Sequence, residues 1–451
     1  MVESDIINTK CLLMDKKIVN RIFIFLCVIH VFFGLVHYLS LSFLSGIVLN
    51  IFFLGWFIIR SDYKFYSPLF IGAILFYVTF IFPMLIVALL NGIKASGLIS
   101  FTFNIEPSLF SKTVWIINIA MAAYFVGVKI GSYFFRSKQE VKFQIKKVFK
   151  IEYFLAILWF TFSGYIRYRY SLGAAGRNAT IGNVGILQHL FYTGNLVLFS
   201  YYFLFSIDNK NKSHFIYVIV LGLIIIATQI YLGWRGTAFS LAILCFLLYK
   251  TFNNPNKLIF SKTIVVLGIA ILPIATTLGN YSRSLSLTNS KIEYASGPSQ
   301  FVQNVFFRQQ GLSRLLVVMN NSDKDFLTND FFITELFRKN ISATNYIDWN
   351  YFGLKRGVKN SFGGSGIGCA YVMGGAVFTF YIFLFVGISI ASCYNLMQSN
   401  SSVIYVVIYA NLILLFRTIL AENFGLYIIK VLFVVGMFSY FYSYLFKLKI
   451  K

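Results

Sequence analysis

The chain has 451 residues and a formal net charge of +24, yet 58% of its residues are hydrophobic and only 12% are charged. Its mean hydropathy of +0.75 excludes an ordinary soluble globular domain and indicates a bilayer as solvent. A large basic excess would suggest nucleic acid as a partner, but here Lys and Arg lie in short loops between apolar runs, where they set membrane topology.

Apolar runs of about 20 residues recur along the chain, which is the length that a helix needs to cross a bilayer. Helices are predicted because lipid offers no partner to open backbone groups, and continuously apolar runs such as 216–226 disfavour an alternating barrel strand. The predicted spans are 18–39, 41–60, 67–91, 113–135, 151–168, 186–206, 214–233, 236–250, 263–280, 366–394, 403–420 and 424–446. The sequence therefore predicts an all-α polytopic membrane protein with about twelve transmembrane helices.

The orientation of these spans follows from the basic short segments. The loop 136–150 and the tail 447–451 are rich in Lys and Arg, which places both on the cytoplasmic side of a bacterial inner membrane. Both termini are then cytoplasmic. Counting the spans alternately leaves 92–112, 167–185, 281–365 and the turn at Glu422 on the outer face.

The predicted spans divide the chain into three parts: helices 1–9 with short loops (1–280), a large periplasmic loop (281–365), and helices 10–12 (366–451). In the loop, one helical face would carry Phe301, Val305, Leu312, Leu315, Leu316 and Met319. This pattern predicts an amphipathic helix that lies on the membrane, with Arg308 and Arg314 beside its apolar stripe.

An arginine between two glycines is the most informative local pattern. Arg235 stands between two apolar spans at the outer face, in the sequence GWRG with Gly233 and Gly236. A guanidinium group binds phosphate oxygens in a fork, and glycines let a large head group approach the backbone. An interfacial arginine that reaches lipid phosphates is the alternative interpretation.

A second arginine lies near the outer end of the predicted eleventh span. Arg417 is followed by Glu422 in the next turn. A charge at that depth is costly, so Arg417 is expected to face protein or a watery cavity. A structural ion pair with Glu422 and a bound anion explain this arginine equally well.

The outer segment 167–185 mixes basic, aromatic and small residues. Arg167, Arg169 and Arg177 lie among tyrosines, a combination that suits sugar rings and phosphates. For Tyr168 and Tyr170 individually, an interfacial aromatic belt is the alternative.

Three further features concern a base, an anion and a metal. His189 is the histidine predicted at the outer end of a span, where it is either a general base or a packing residue. Gly363 and Gly364 precede a span, and such glycines either serve helix packing or let an anion approach the start of a helix. The outer carboxylates form no cluster with histidines, so no metal or other cofactor is expected.

Three short motifs together resemble the Wzy-type oligosaccharide repeat-unit polymerases of bacterial O-antigen and capsule pathways. They are GWRG at 233–236, FRQQGLSRLL at 307–316 in the large loop and NSFGGSGIG at 360–368. In topology the resemblance covers nearly the full chain. It implies a metal-independent membrane glycosyltransferase with a multispanning fold similar to the GT-C enzymes.

The resemblance also implies a reaction and its partners. Undecaprenyl-pyrophosphate-linked glycans would serve as donor and acceptor at the periplasmic face, among membrane lipids, with a chain-length regulator and a flippase as further partners. Arg235 and Arg417, then Arg308 and Arg314, would stabilise the departing pyrophosphate. His189, Glu335 and Glu422 are candidates for the base.

Other functions are compatible with parts of this pattern. An O-antigen ligase uses a similar donor and a similar loop, but transfers the glycan to lipid A core. A flippase or transporter for the lipid-linked oligosaccharide would favour repeated helices and charges along a central path, whereas the basic residues here cluster at one face. A membrane acyltransferase fits poorly, because His30 and His37 in the first span have no acid beside them.

Overall fold

The computed structural model describes part of the chain. The described residues are 67–81, 83–84, 95–97, 99–101, 107–134, 150–169, 184–209, 212–231, 236–253, 311–321, 347, 351, 365–399, 403–421, 435–437 and 440–441. The predicted spans 18–39, 41–60 and 263–280 lie outside them.

Most of the described residues are helical. The helices are α1 (Pro68–Phe76), α2 (Pro107–Gly131), α3 (Lys150–Arg169), α4 (Val184–Asn209), α5 (Lys212–Tyr231), α6 (Gly236–Asn253), α7 (Gly311–Asn320), α8 (Ser365–Ser399) and α9 (Val403–Ala421). A short antiparallel hairpin, β1 (Ala95–Gly97) with β2 (Ile99–Phe101), precedes α2. Helices α2 to α6, α8 and α9 confirm predicted helices, with ends shifted by a few residues. In the predicted span 67–91, α1 ends at Phe76 and a π-helix, Tyr77–Ile81, follows it.

Three of the described helical segments are long and apolar enough to cross a membrane: Ser111–Gly131, Ser365–Gln398 and Ile404–Ala421. Apolar side chains also point outward, among them Phe154, Leu155 and Ile216, which are 55%, 57% and 60% exposed. A helix that is apolar on its outer face as well as its inner face suits lipid. The structure is therefore that of an all-α membrane-associated protein, while the count of about twelve spans stays a prediction.

Glycines bring α2 and α8 into close parallel contact. A Cβ at Gly127 would collide with the Leu384 carbonyl oxygen, and a Cβ at Gly131 would lie 2.6 Å from that of Ile388. Gly387 lies equally close to the α2 backbone. Gly127 and Gly131 are four residues apart and share one face of α2, as in the small-residue interfaces of membrane helices.

At their C-terminal ends the same two helices are joined by an amide. The Nδ2 of Asn395 donates to the carbonyl oxygens of Gly131, Ser132 and Phe134, at 3.3, 3.0 and 2.8 Å. These carbonyls follow the last full turn of α2 and would otherwise lack a helical partner. The bonds fix both helices in register, and we call this end of the bundle the Asn395 end.

An aromatic cluster connects α2 to α1 and α9. The Tyr124 ring stacks on Phe416 with centroids 4.7 Å apart and planes at 8°. The Tyr124 hydroxyl donates to the Pro68 carbonyl oxygen at 2.8 Å, and Phe76 packs against both rings. Tyr124 and Phe416 are fully buried. The position of α9 is therefore set by direct stacking on α2.

Polar side chains join α3 and α4. The Trp159 indole donates to Asn195 Oδ1 at 3.0 Å, and Asn195 Nδ2 donates to Ser163 Oγ at 2.8 Å. Nearer the start of α3, the Tyr202 hydroxyl donates to the Glu152 carbonyl oxygen at 3.1 Å. The start of α3 therefore contacts the later part of α4, and the later part of α3 contacts the earlier part of α4. The two helices are antiparallel.

Two contacts show that α5 runs parallel to α3. The Tyr153 ring lies 5.2 Å from that of His214 near the start of both helices. Gly164 faces Thr228 near the end of both. Helix α6 also packs against α5, because the Leu241 side chain lies next to Gly222.

The long helix α8 is interrupted after residues 365–373. Gly374 is extended and Gly375 has φ 66° and ψ −155°, a conformation that residues with a side chain rarely adopt. The Thr379 hydroxyl donates to the Gly375 carbonyl oxygen at 2.9 Å, so one of the carbonyls at the break has a partner. α8 therefore consists of a short N-terminal part, residues 365–373, and a longer part that packs on α2.

The glycine contact between α2 and α8 leads to a stability prediction. Gly127→Ala is expected to lower the thermal unfolding temperature of the purified protein by several degrees, because the added methyl group meets a backbone carbonyl that cannot rotate away. Overpacking of this kind costs about 1–3 kcal/mol. Gly436→Ala is the matched control, since a Cβ there has no neighbour within 4 Å. Equal unfolding temperatures for the two variants would contradict the close crossing.

Candidate functional site

Two other helices begin against the C-terminal turn of α9. A Cβ at Gly311, the first residue of α7, would lie 2.6 Å from the Leu420 carbonyl oxygen. A Cβ at Gly366, near the start of α8, would collide with the carbonyl oxygen of Ile419. The starts of α7 and α8 therefore meet the same turn of α9. We call this end of the bundle the Arg417 end.

Arg314 of α7 connects to the last residue of α9. Its Nη1 donates to the Ala421 carbonyl oxygen at 3.1 Å, and the side chain is half-buried. The final carbonyls of a helix lack intrahelical donors and carry partial negative charge, so a guanidinium group is a favourable partner. Arg314 thus fixes the point at which the chain leaves α9 towards Glu422.

Arg417 connects α9 to α6. Its Nη1 donates to Ser240 Oγ at 3.0 Å. Ser240 lies four residues after Gly236, about one helical turn from the start of α6. The GWRG motif therefore opens the helix whose first turns contact Arg417.

The helix α7 covers part of the predicted amphipathic helix. Leu312, Leu315, Leu316 and Met319 are buried as one face, but Val317 and Val318 are buried as well. The apolar face of α7 packs against α2, α8 and α9, while Arg314 is half-buried and Asn320 is exposed. The predicted amphipathic helix is therefore present over residues 311–320, and its location on the membrane surface stays a prediction. Phe301 and Val305 lie outside the described residues.

The helix directions place other candidate residues at the same end. Four residues lie between Tyr231 and Gly236, so their Cα atoms are at most about 18 Å apart and the C-terminal end of α5 lies near the start of α6. Because α3 is parallel to α5, the last turn of α3, with Arg167 and Arg169, lies at the Arg417 end. Since α4 is antiparallel to α3, the second turn of α4, with His189, lies there too.

Several predicted residues lie outside the described part of the chain, and their roles stay predictions. They are Arg235, Gly233, Arg177, Arg308, Glu335, Glu422, Gly363 and Gly364. In the sequence, Arg235 directly precedes Gly236, the first residue of α6.

Basic side chains predominate at this end among those that the structure describes. Lys112, near the start of α2, is half-buried, and α2 runs parallel to α8. With Arg314 and Arg417 it contributes positive charge at the Arg417 end. The single carboxylate among the described side chains is Glu152, in the first turn of α3 at the other end. Such a charge distribution attracts an anion.

Two residues of this region were missed by sequence reasoning. Ser240 lies in an apolar helix, and nothing in the sequence links it to an arginine 177 positions away. Ser365 is fully buried with φ 62°, and its Oγ accepts from the Gly368 N–H at 3.1 Å. A non-glycine residue with positive φ is uncommon, and here the hydroxyl caps the start of α8. Neither contact has a sequence signal beyond a lone serine.

Comparisons of the chain with protein-family models, with curated proteins and with solved structures found no match. Within the described residues no group of three His, Cys, Asp or Glu side chains is arranged to hold a metal ion. The chemistry that these residues offer is therefore that of a cationic, hydrogen-bond-donating surface at one end of a helical bundle.

The contact between Arg314 and Ala421 can be tested by hydrogen exchange. Arg314→Ala is expected to speed amide exchange in the last turn of α9 about tenfold, because a charge-assisted bond worth about 1.5 kcal/mol is lost. Lys129→Ala removes an exposed cation from α2 near the Asn395 end and is the matched control. Unchanged exchange at residues 418–421 in Arg314→Ala would show that this bond does not hold the end of α9.

Proposed function

We propose that the chain is a Wzy-type polymerase that joins undecaprenyl-pyrophosphate-linked repeat units into O-antigen or capsular polysaccharide at the periplasmic face of the bacterial inner membrane. The observation that carries the proposal is the convergence of the motif-bearing segments. The helix that follows GWRG, the helix within FRQQGLSRLL and the helix opened by NSFGGSGIG all contact the last turns of α9, which carry Arg417.

The proposed reaction transfers a glycan without a metal. An acceptor hydroxyl oxygen attacks the anomeric carbon of the donor, the bond from that carbon to the pyrophosphate oxygen breaks, and a base takes the hydroxyl proton. The departing pyrophosphate gains negative charge, and preorganised guanidinium groups stabilise it. Arg417 and Arg235 are the first candidates for this role, with Arg308 and Arg314 beside them. His189 and Glu422 are the candidate bases.

The remaining features of the proposal follow from the same assignment. The protein would have about twelve spans, cytoplasmic termini and a fold similar to the GT-C glycosyltransferases. Its partners would be the lipid-linked donor and acceptor, the surrounding lipids, a chain-length regulator and a flippase, with no nucleic acid. Arg167, Arg169 and Arg177, together with Gly233, Gly236, Gly363 and Gly364, would contact the glycan or its pyrophosphate.

A flippase or transporter is the second candidate, and one observation favours it. The break at Gly374 and Gly375 resembles the discontinuous helices that line substrate paths in transporters. Three of the described cationic side chains, Lys112, Arg314 and Arg417, however, lie together at the Arg417 end, and Lys129 lies near the opposite end, so these charges do not follow the axis of the bundle. An O-antigen ligase would share the donor and the charge distribution and would differ in its acceptor.

The proposed orientation can be tested by labelling single cysteines. After the five native cysteines are replaced, Asn320→Cys marks the Arg417 end and Tyr133→Cys marks the Asn395 end, at two exposed positions. A membrane-impermeant maleimide is expected to label Asn320→Cys in intact spheroplasts and Tyr133→Cys only after lysis, because the basic loop 136–150 follows Tyr133. The reverse pattern would place the arginines in the cytoplasm and contradict a periplasmic reaction.

The function can be tested by complementation in a host that lacks the gene. Arg235→Ala and Arg417→Ala, at wild-type membrane abundance, are expected to reduce the surface glycan ladder to a single repeat, because leaving-group stabilisation is lost. Lys129→Ala is expected to restore the full ladder, since this cation lies near the opposite end.

The pattern of glycan separates the candidate functions. An intact ladder in the deletion strain would contradict the polymerase. Lipid-linked repeats trapped inside the cell, with no surface glycan, would indicate the flippase. Polymer that accumulates on undecaprenyl pyrophosphate without transfer to lipid A core would indicate the ligase.

A further inference from the structure

Ser240 is the residue that meets the guanidinium group of Arg417 from the neighbouring helix. We propose that Ser240 is a positioning residue, which orients Arg417 towards the anionic leaving group. This inference rests on the proposed function and names a residue that the motifs do not include. The 3.0 Å bond from Arg417 Nη1 to Ser240 Oγ is its basis.

The backbone of Arg417 is fixed independently of this bond. Its neighbour Phe416 is fully buried and stacks on Tyr124 at 4.7 Å. Arg417 therefore extends from a backbone position that is set by the aromatic cluster. The long side chain beyond that point still has several rotatable bonds and therefore many rotamers.

A serine on a helix is suited to select one arrangement of that side chain. Ser240 has a single rotatable bond before its oxygen, so the position of Oγ follows from the backbone of α6. Its hydroxyl is neutral, so this bond directs the guanidinium group without cancelling its charge. A carboxylate in the same place would neutralise the cation and weaken its attraction for pyrophosphate.

A distinct kinetic signature follows from this arrangement. Without the hydroxyl, Arg417 keeps its charge and still attracts the lipid-linked donor, so the KM for the donor should change little. One of the contacts that orient the guanidinium group is then missing when the leaving group gains charge. The loss should therefore fall on kcat, because preorganisation acts on the transition state more than on ground-state binding.

The test measures elongation of undecaprenyl-pyrophosphate-linked repeats by the purified full-length protein, with rates normalised to folded protein. Ser240→Ala is expected to lower kcat about tenfold and to leave KM within about twofold of wild type. Ser240→Thr, which keeps the hydroxyl, should recover most of the rate. Ser240→Cys keeps the size but offers a weak acceptor, so it should behave like Ser240→Ala and provides the test if the alanine variant does not fold.

A double variant separates positioning from a general effect on the bundle. In the Arg417→Ala background, Ser240→Ala should cause no further loss, because the side chain that it orients is already absent. Ser200→Ala is the control substitution, since this buried serine bonds the Leu196 carbonyl oxygen of its own helix at 2.8 Å. It should retain the wild-type kcat.

The outcomes that contradict the inference differ from those that contradict the function. Loss of rate in Arg417→Ala, with wild-type kcat in Ser240→Ala, would overturn the positioning role and leave the polymerase in place. Multiplicative losses in the double variant would also overturn it, because the two residues would then act independently. A wild-type protein that does not elongate the lipid-linked repeat would overturn both.

Discussion

Close packing between the backbones of α2 and α8 is the constraint on which the rest of the described structure depends. In lipid there is little hydrophobic drive between helices, so association relies on van der Waals contact and on hydrogen bonds. Gly127, Gly131 and Gly387 provide that contact by placing backbone against backbone, and Asn395 adds bonds at one end. Tyr124 lies on the same stretch of α2. Its ring stacks on Phe416, the residue before Arg417, and so fixes the position of α9 relative to α2.

The polar groups of the bundle divide by location. In its interior, several bond one another, as in the bonds among Trp159, Asn195 and Ser163. Buried polar groups are stabilised by such partners, because lipid offers none. At the Arg417 end the two arginines whose side chains the structure describes, Arg314 and Arg417, instead connect different helices, through Ala421 and Ser240. Positive charge is thus held in fixed positions at the end of the bundle.

Hydropathy predicted most of the described helices, because the requirement for apolar runs of membrane length is local and leaves a plain trace in sequence. The surroundings of α7 were not predictable in this way. Its apolar residues fit a membrane surface and a protein interior equally well, and the close contact of Gly311 with α9 is made with a segment far along the chain. Glycines near 363–368 were recognised as packing or binding elements, but the break at Gly374 and Gly375 left no distinct signal within an apolar, glycine-rich run.

The candidate site was predictable to a similar extent. Arginine between glycines, or near the end of a span, is visible in sequence because the charge is exceptional there. The partner of that charge is not visible, since Ser240 resembles any other serine of a membrane helix. Convergence is a property of the packed structure: α6, α7 and α8 reach the last turns of α9 from segments far apart in the chain.

The interruption divides α8 into two parts with different packing partners. Residues 365–373 are buried against the end of α9 and α7, whereas the part beyond Gly375 belongs to the glycine contact with α2. A continuous helix would transmit any shift at one end along its whole length. With the interruption, substitutions in residues 365–373 can change the Arg417 end while the register with α2 is kept. Sequence change at that end of the bundle then leaves the glycine contact between α2 and α8 undisturbed.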